Sequence, residues 1–310
     1  MRDGGVKKKV VSTSTKSGLQ AIRACGLSEA FACCTSDCSE AWKIINADGV
    51  ALYADEGGNN RPEIARQQLM RLLLSKLPDD KIRWGAKLTS AERVGEGKTR
   101  LNFGDDADVF DVVIGADGVH RPPEPDPHYL LLAGAAPDLA EFCGDGTICV
   151  LQDGNGVIKG QHGVRRSERL YITMASADEN FAEREGIHDM DAVMLYTFLT
   201  TTDTLYNTFA DMPKRLIKAA CEDSTAPGNR GPTTRYDLRP FYKLPVGHRW
   251  DPVPGVTILG DAAHLMTTYA GEGVNLAMRD ALDVGAAIPQ AWKVSKNAAS
   301  LKVEGEIVRS

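Results

Sequence analysis

The residues with the clearest chemical potential run Gly260-Asp261-Ala262-Ala263-His264 and then Gly271-Glu272-Gly273-Val274-Asn275. They follow the apolar segment Gly255-Val-Thr-Ile-Leu-Gly260 and lead into a helical pattern. A short buried strand ending in Gly-Asp delivers a carboxylate to the C-terminal edge of a sheet, where open α/β sheets take their ligands. Such a carboxylate accepts hydrogen bonds from sugar-type hydroxyls. Gly271 and Gly273 let backbone approach a ligand closely. A helix starting there turns unpaired N–H groups and the positive end of its dipole toward that ligand. Each feature alone also fits an ordinary strand-loop-helix crossover. Only the whole string, in this order, points to a site.

Two further segments carry candidate groups. Asp117-Gly118 ends the run Val112-Val-Ile-Gly-Ala, a second apolar strand closed by a glycine turn. Arg66 lies in Arg61-Pro-Glu-Ile-Ala-Arg66-Gln-Gln-Leu69. A guanidinium fork suits phosphate recognition, although a lone arginine on a helix is more often a solvated residue.

The elements that must position these groups follow from periodicity and punctuation. Residues 18–31 have helical spacing, with Gly26 as an interruption or cap. Residues 41–46 and 50–54 form a hairpin through Ala47-Asp48-Gly49. An amphipathic helix is predicted from Pro62 to Leu77, stopped by Pro78. Residues 82–116 read as strands, and the proline-rich turn Pro122 to Pro127 marks a domain boundary. Beyond it the pattern is α+β, with strands near 147–151, 157–162 and 170–175 and a helix near 190–200. A strand at 255–260 and a helix from Gly273 to Ile288, ended by Pro289, complete the series. Tyr236, Asp237, Arg239 and Tyr242 either line a substrate cavity or alternate along a strand, and the charged stretch 163–169 reads as a solvated hairpin.

Composition narrows the class. The 310 residues, 43% hydrophobic and 25% charged, suit about two soluble globular domains. A net charge of -6 and a pI near 5.6 argue against nucleic acid or an anionic membrane as partner. Lys7-Lys8-Lys9 reads as a solvated strand end. Seven cysteines, an odd number in a chain this long, favour a reducing, cytoplasmic setting. Cys33, Cys34 and Cys38 have neither a CxxC pair nor a nearby histidine, so no metal site is expected. No apolar run is long enough for a membrane span, and the first residues lack the apolar core of a secretory signal.

The string GDAAHLMTTYAGEGVNLAMRDA closely resembles the GD motif of class A flavoprotein monooxygenases, GDAAHxxxPxxGxGxN. GADGVH, ending the earlier strand, resembles the family's DG motif, GADGxxSxxR, and Arg66 matches an arginine that precedes a leucine at the family's spacing. This resemblance implies FAD as cofactor. It assigns Asp261, with Gly260 before it, to the ribityl chain, and Gly271, Gly273, Val274 and Asn275 to the isoalloxazine ring. It assigns Asp117 and Gly118 to the pyrophosphate and the nicotinamide cofactor, and Arg66 to FAD phosphate or ribityl groups. The implied fold is an α/β, doubly wound FAD-binding domain built from residues 1–125 and 251–310, with an α+β, sheet-rich substrate domain at 126–250 inserted. The implied reaction is hydroxylation of an aromatic or polyketide-like small molecule with NAD(P)H and O2. It needs no protein nucleophile, which leaves His264 a packing role and His120 and His162 none.

Within the family, the branch with tetracycline-inactivating and aromatic hydroxylases is the nearest in pattern. Two departures stand out: Thr268 replaces the proline near the flavin, and Arg121-Pro-Pro-Glu replaces the serine and arginine of the DG motif, where the nicotinamide docks. The glycine pairs at 95 and 97, 144 and 146, and 154 and 156 all lack the third glycine of GxGxxG. The expectation is therefore a chain that begins at the family's third strand, binds FAD weakly and is marginally stable. A non-catalytic remnant, or an epoxidase or reductase on the same scaffold, are the alternatives.

Overall fold

The computed structural model describes residues 10–12, 16–36, 39–58, 62–95, 97–118, 136–152, 156–163, 167–174, 178, 180–202, 205–225, 241–267, 271–296 and 307–309. In chain order the strands are β1 (Val10–Ser12), β2 (Trp42–Asn46), β3 (Ala51–Asp55), β4 (Glu63–Ala65), β5 (Ile82–Trp84), β6 (Ser90–Arg93) and β7 (Thr99–Phe103). They continue as β8 (Asp106–Phe110), β9 (Val113–Gly115), β10 (Thr147–Leu151), β11 (Gly156–Gly163), β12 (Ser167–Met174), β13 (Val256–Ile258) and β14 (Ile307–Arg309). The α-helices are α1 (Lys16–Ala24), α2 (Ser28–Thr35), α3 (Arg66–Leu74), α4 (Pro137–Cys143), α5 (Phe181–Arg184), α6 (Ala192–Thr201), α7 (Asp211–Thr225), α8 (Asp261–His264) and α9 (Gly273–Lys296). Together they make an α/β fold. The chain divides into two compact units, 1–10, 34–66 and 123–240 in one and 11–33, 67–122 and 241–310 in the other.

The first unit is organised by a five-stranded sheet in the order β12-β11-β10-β2-β3. Strands β10 and β2 run parallel, with Val150 opposite Ile45, and every other neighbour is antiparallel. The Asp48-Gly49 turn closes the β2–β3 hairpin with Gly49 at φ 83°, and the register slips between Ile44 and Ile45. Alternation places Ile45, Ile148, Val150 and Ile158 on one face, packed with Leu139, Leu195, Leu199, Leu216 and Ile217 of the helices. Fully burying such a side chain contributes roughly 1.5–3 kcal/mol. Tyr206 is enclosed in the same core, its single hydroxyl proton shared between the Val157 and Thr173 carbonyls. Helix α6 is started by Asp191, whose carboxylate accepts the Met194 N–H at 2.7 Å. The opposite face carries Trp42, Ile44, Tyr53, Cys149 and Tyr171, with the Trp42 and Tyr53 rings edge to face at 6.5 Å.

Cys221 of α7 sits in this core, and burial pushes its thiol up to about 12 from 9.0. An unfolded chain therefore releases a proton near pH 9 that the folded chain keeps. Stability then falls as pH rises between these two values. Denaturant titrations of the native chain and Cys221→Ala at neutral and alkaline pH should show a smaller alkaline loss in the variant. At neutral pH a thiol reagent should modify the exposed Cys25 and Cys33 and spare Cys221. Rapid native labelling of Cys221 would contradict its burial.

The second unit holds the antiparallel sheet β6-β7-β8 and two parallel pairs, β9 with β13 and β5 with β14. Helix α1 packs along α9, and Gly26 at φ 65° separates α1 from α2. Two sequence-based boundaries are corrected. Residues 63–65 form strand rather than helix, with Ile64 and Ala65 both fully buried, so the helix begins at Arg66. Helix α9 also runs through Pro289 to Lys296. Proline deprives the carbonyl four residues back of its donor. That carbonyl belongs to Gly285, which is exposed with open space around it, so water can take the donor's place. None of the described helices is long and apolar enough to cross a membrane.

Candidate functional site

Strands β9 and β13 pair in parallel with Val256 opposite Val113 and Ile258 opposite Gly115. The register is tied at both ends. Val113 N–H donates to the Gly255 carbonyl at 2.7 Å, and Leu259 N–H to that of Gly115 at 2.9 Å. The two chains therefore leave the pair side by side, bringing Asp117-Gly118 and Gly260-Asp261 together. A Cβ at Gly118, where φ is 72°, would lie 3.9 Å from Asp261 Cβ. The carboxylates of Asp117 and Asp261 belong to exposed residues.

The turn at Gly260 uses φ 63° and ψ -142°, a conformation open essentially to glycine alone. Asp261 then opens the four-residue helix α8. The start of α9 stands in front of it: a Cβ at Gly273 would lie 3.8 Å from Asp261 Oδ1. One turn further along, Ala277 Cβ would lie 3.2 Å from a Cβ at Gly260. Two turns along, Asp280 Oδ2 accepts the Gly260 N–H at 2.9 Å and lies 2.5 Å from His264 Nε2. Positions 273, 277 and 280 share one helix face, so the segment 260–264 docks along a single stripe of α9.

Behind the helix start, Asn275 is fully buried, and its Nδ2 donates to Glu272 Oε2 at 3.2 Å. A Cβ at Gly18 of α1 would sit 2.5 Å from Asn275 Oδ1, so any side chain there would have to displace the Asn275 amide. Gly271 (φ 68°) turns the chain into α9, and Val274 in its first turn is half-buried.

The structure thus gathers Asp117, Gly118, Gly260, Asp261, Gly271, Gly273, Val274 and Asn275 in the second unit. Arg66 is the exposed first residue of α3, the last residue grouped with the first unit. Sequence reasoning missed Asp280 and Gly18. The aspartate's signal was the terminal Asp-Ala of the GD-like string, and Gly18 gave none. His264 keeps a structural place but gains a defined partner in Asp280. Lys7 to Lys9, Cys38, His120, Arg121 with the following prolines, Tyr236, Asp237, Arg239, Thr268 and the side chain of His162 lie outside the described residues.

A family model described as an FAD binding domain matches residues 193–301. The monooxygenase asqM of Emericella nidulans is 28% identical over 318 residues, covering 86% of this chain and 70% of that protein. The monooxygenase penA of Penicillium thymicola is 29% identical over 318 residues, covering 86% of this chain and 71% of that protein. Among solved structures, an HpxO variant of Klebsiella pneumoniae complexed with FAD matches with a TM-score of 0.60 at 18% identity, over 91% of this chain and 72% of that one. With its adjoining strand-end motifs, the chain is thus similar to FAD-dependent monooxygenases, and its stretch 193–301 matches an FAD binding domain.

Proposed function

We propose that the chain uses FAD, NAD(P)H and O2 to hydroxylate an aromatic or polyketide-like small molecule. The second unit would be the FAD-binding domain, of doubly wound type, and the first the substrate domain. The observation that carries this reading is the parallel β9–β13 pair, which sets Asp117-Gly118 and Asp261 before the N-terminus of α9.

The residues fit the cofactor. Asp261 is an exposed acceptor for ribityl hydroxyls, and Gly118 and Gly273 beside it carry no side chain to obstruct them. The 24-residue helix α9 directs its first N–H groups, at Gly273 to Asn275, where an anionic ring edge would be stabilised. Asp117 and Gly118 would approach the pyrophosphate, and Arg66 would offer a phosphate its guanidinium fork. When bound, FAD supplies the redox chemistry that passes two electrons from NAD(P)H to O2, one oxygen atom entering the product and the other leaving as water. The protein's share is to orient, to stabilise charge and to exclude water. The aromatic residues Trp42, Tyr53 and Tyr171 on one sheet face suit a flat substrate.

With FAD added, NAD(P)H oxidation should accelerate when a phenolic or polyketide substrate is present, and the product should gain one oxygen atom by mass. Stopped-flow flavin reduction and oxygen uptake read this directly. Equal rates across a broad phenol panel, with no oxygenated product, would refute the hydroxylase reading.

A further inference from the structure

We propose that Asp280 is the positioning residue of this site, acting as a clamp that fixes the Asp261 carboxylate through Gly260 and His264. The proposal rests on the reading of Asp261 as an FAD ligand. Asp261 is exposed and is the first residue of a helix only four residues long, too short to hold itself in place. Its two flanks are instead tied to α9 by one oxygen atom: Asp280 Oδ2 receives the Gly260 N–H on one side and meets His264 Nε2 on the other.

The protonation pattern follows from the surroundings. His264 Nδ1 is buried with no hydrogen-bond partner among the described residues. A proton on Nδ1 would be left unsatisfied, so the tautomer with its proton on Nε2, donated to Asp280, is the one that fits. Asp280 therefore accepts two hydrogen bonds that span Asp261. The same helix supplies the N-terminus at Gly273 that faces the Asp261 carboxylate, as well as Ala277, against which Gly260 packs. Carboxylate and helix end are thus held in one rigid relation, which prepares the site before any ligand arrives.

Both bonds fall on a single oxygen, so an amide oxygen can replace it. Asp280→Asn should keep FAD affinity within about threefold, whereas Asp280→Ala should raise the dissociation constant about tenfold or more. The deciding measurement is a double-mutant cycle on FAD affinity, read by flavin fluorescence. If Asp280 acts through Asp261, then Asp280→Ala in an Asp261→Ala background should weaken FAD by less than about twofold further. Full additivity, or an unchanged constant in Asp280→Ala, would overturn the clamp.

His264→Phe keeps the ring's bulk and opens one arm of the clamp. It should give a smaller loss that also vanishes in the Asp261→Ala background, and it carries the cycle if Asp280→Ala does not fold. A readout without flavin is amide exchange. The Gly260 amide should exchange faster in His264→Phe and Asp280→Ala, while β10 in the other unit stays protected; unchanged Gly260 exchange would count against the clamp. If Asp261→Ala alone leaves FAD affinity intact, the site reading fails and the clamp with it. If Asp261→Ala weakens FAD and Asp280→Ala does not, only the clamp fails.

Discussion

Replacing Asp261 with alanine should raise the FAD dissociation constant roughly 10- to 150-fold, as expected for the loss of charge-assisted hydrogen bonds worth about 1.5–3 kcal/mol. The carboxylate is exposed and lies beside two positions that lack a Cβ, Gly118 and Gly273. A hydroxylated chain laid across it would meet an acceptor with no side chain in between. Asp261→Asn retains acceptor oxygen and should lose less. The substitution leaves the Gly260 and His264 bonds to Asp280 in place, so the melting temperature should stay close to that of the parent. Titration of flavin fluorescence measures the first quantity and thermal melting the second. An unchanged FAD constant would remove Asp261 from the site. A collapsed melting temperature would instead mean that the residue holds the turn.

The parts of this site legible in the sequence are those set by local backbone chemistry. Gly255 to Gly260 reads as a buried strand and Gly273 as a helix start because apolar runs, glycines and helical periodicity are short-range signals. The structure bears out the strand and the helix start in β13 and α9, but β13 is half-buried rather than buried. The terminal Asp-Ala of the GD-like string marked Asp280, but its partners were not legible, since they lie 16 and 20 residues away and meet it only once α9 folds back on the turn. The parallel pairing of β2 with β10 was hidden for the same reason. Trp42 and Thr147 are adjacent in the sheet but far apart in the chain, and no local pattern encodes that register. The start of α3 was misjudged because Pro62 suits a first helical turn, whereas the full burial of Ile64 and Ala65 favours an extended segment. Helix α7 falls in a stretch read only as mixed, although Leu216, Ile217 and Cys221 give it a buried stripe at helical spacing.

A large loss is expected from a single methyl group at Gly255, beside the site's paired strands. Its φ of 80° already disfavours an L-residue by roughly 1–2 kcal/mol. A Cβ there would also lie 2.4 Å from the Gly97 carbonyl oxygen and 2.8 Å from that of Asp111. Both are backbone atoms, so neither can swing aside as a flexible side chain would, and the strand itself must move. That strand is β13, and the Gly255 carbonyl is what receives the Val113 N–H at 2.7 Å. Displacing it breaks the first bond of the β9–β13 register and pulls Asp261 away from Gly118. Gly255→Ala should therefore lose about 3 kcal/mol or more, and the melting temperature of a unit this size should fall by roughly 6–12 °C. FAD affinity should fall with it.

Gly58 is the control, because its φ of 83° carries the same conformational strain with nothing within 4 Å of a Cβ. Gly58→Ala should cost only the strain, roughly 1–2 kcal/mol, and leave FAD affinity unchanged. The difference between the two variants isolates the backbone collision at β13. If both melt within a degree or two of each other and bind FAD alike, the tight approach at Gly255 does not hold the two motifs together.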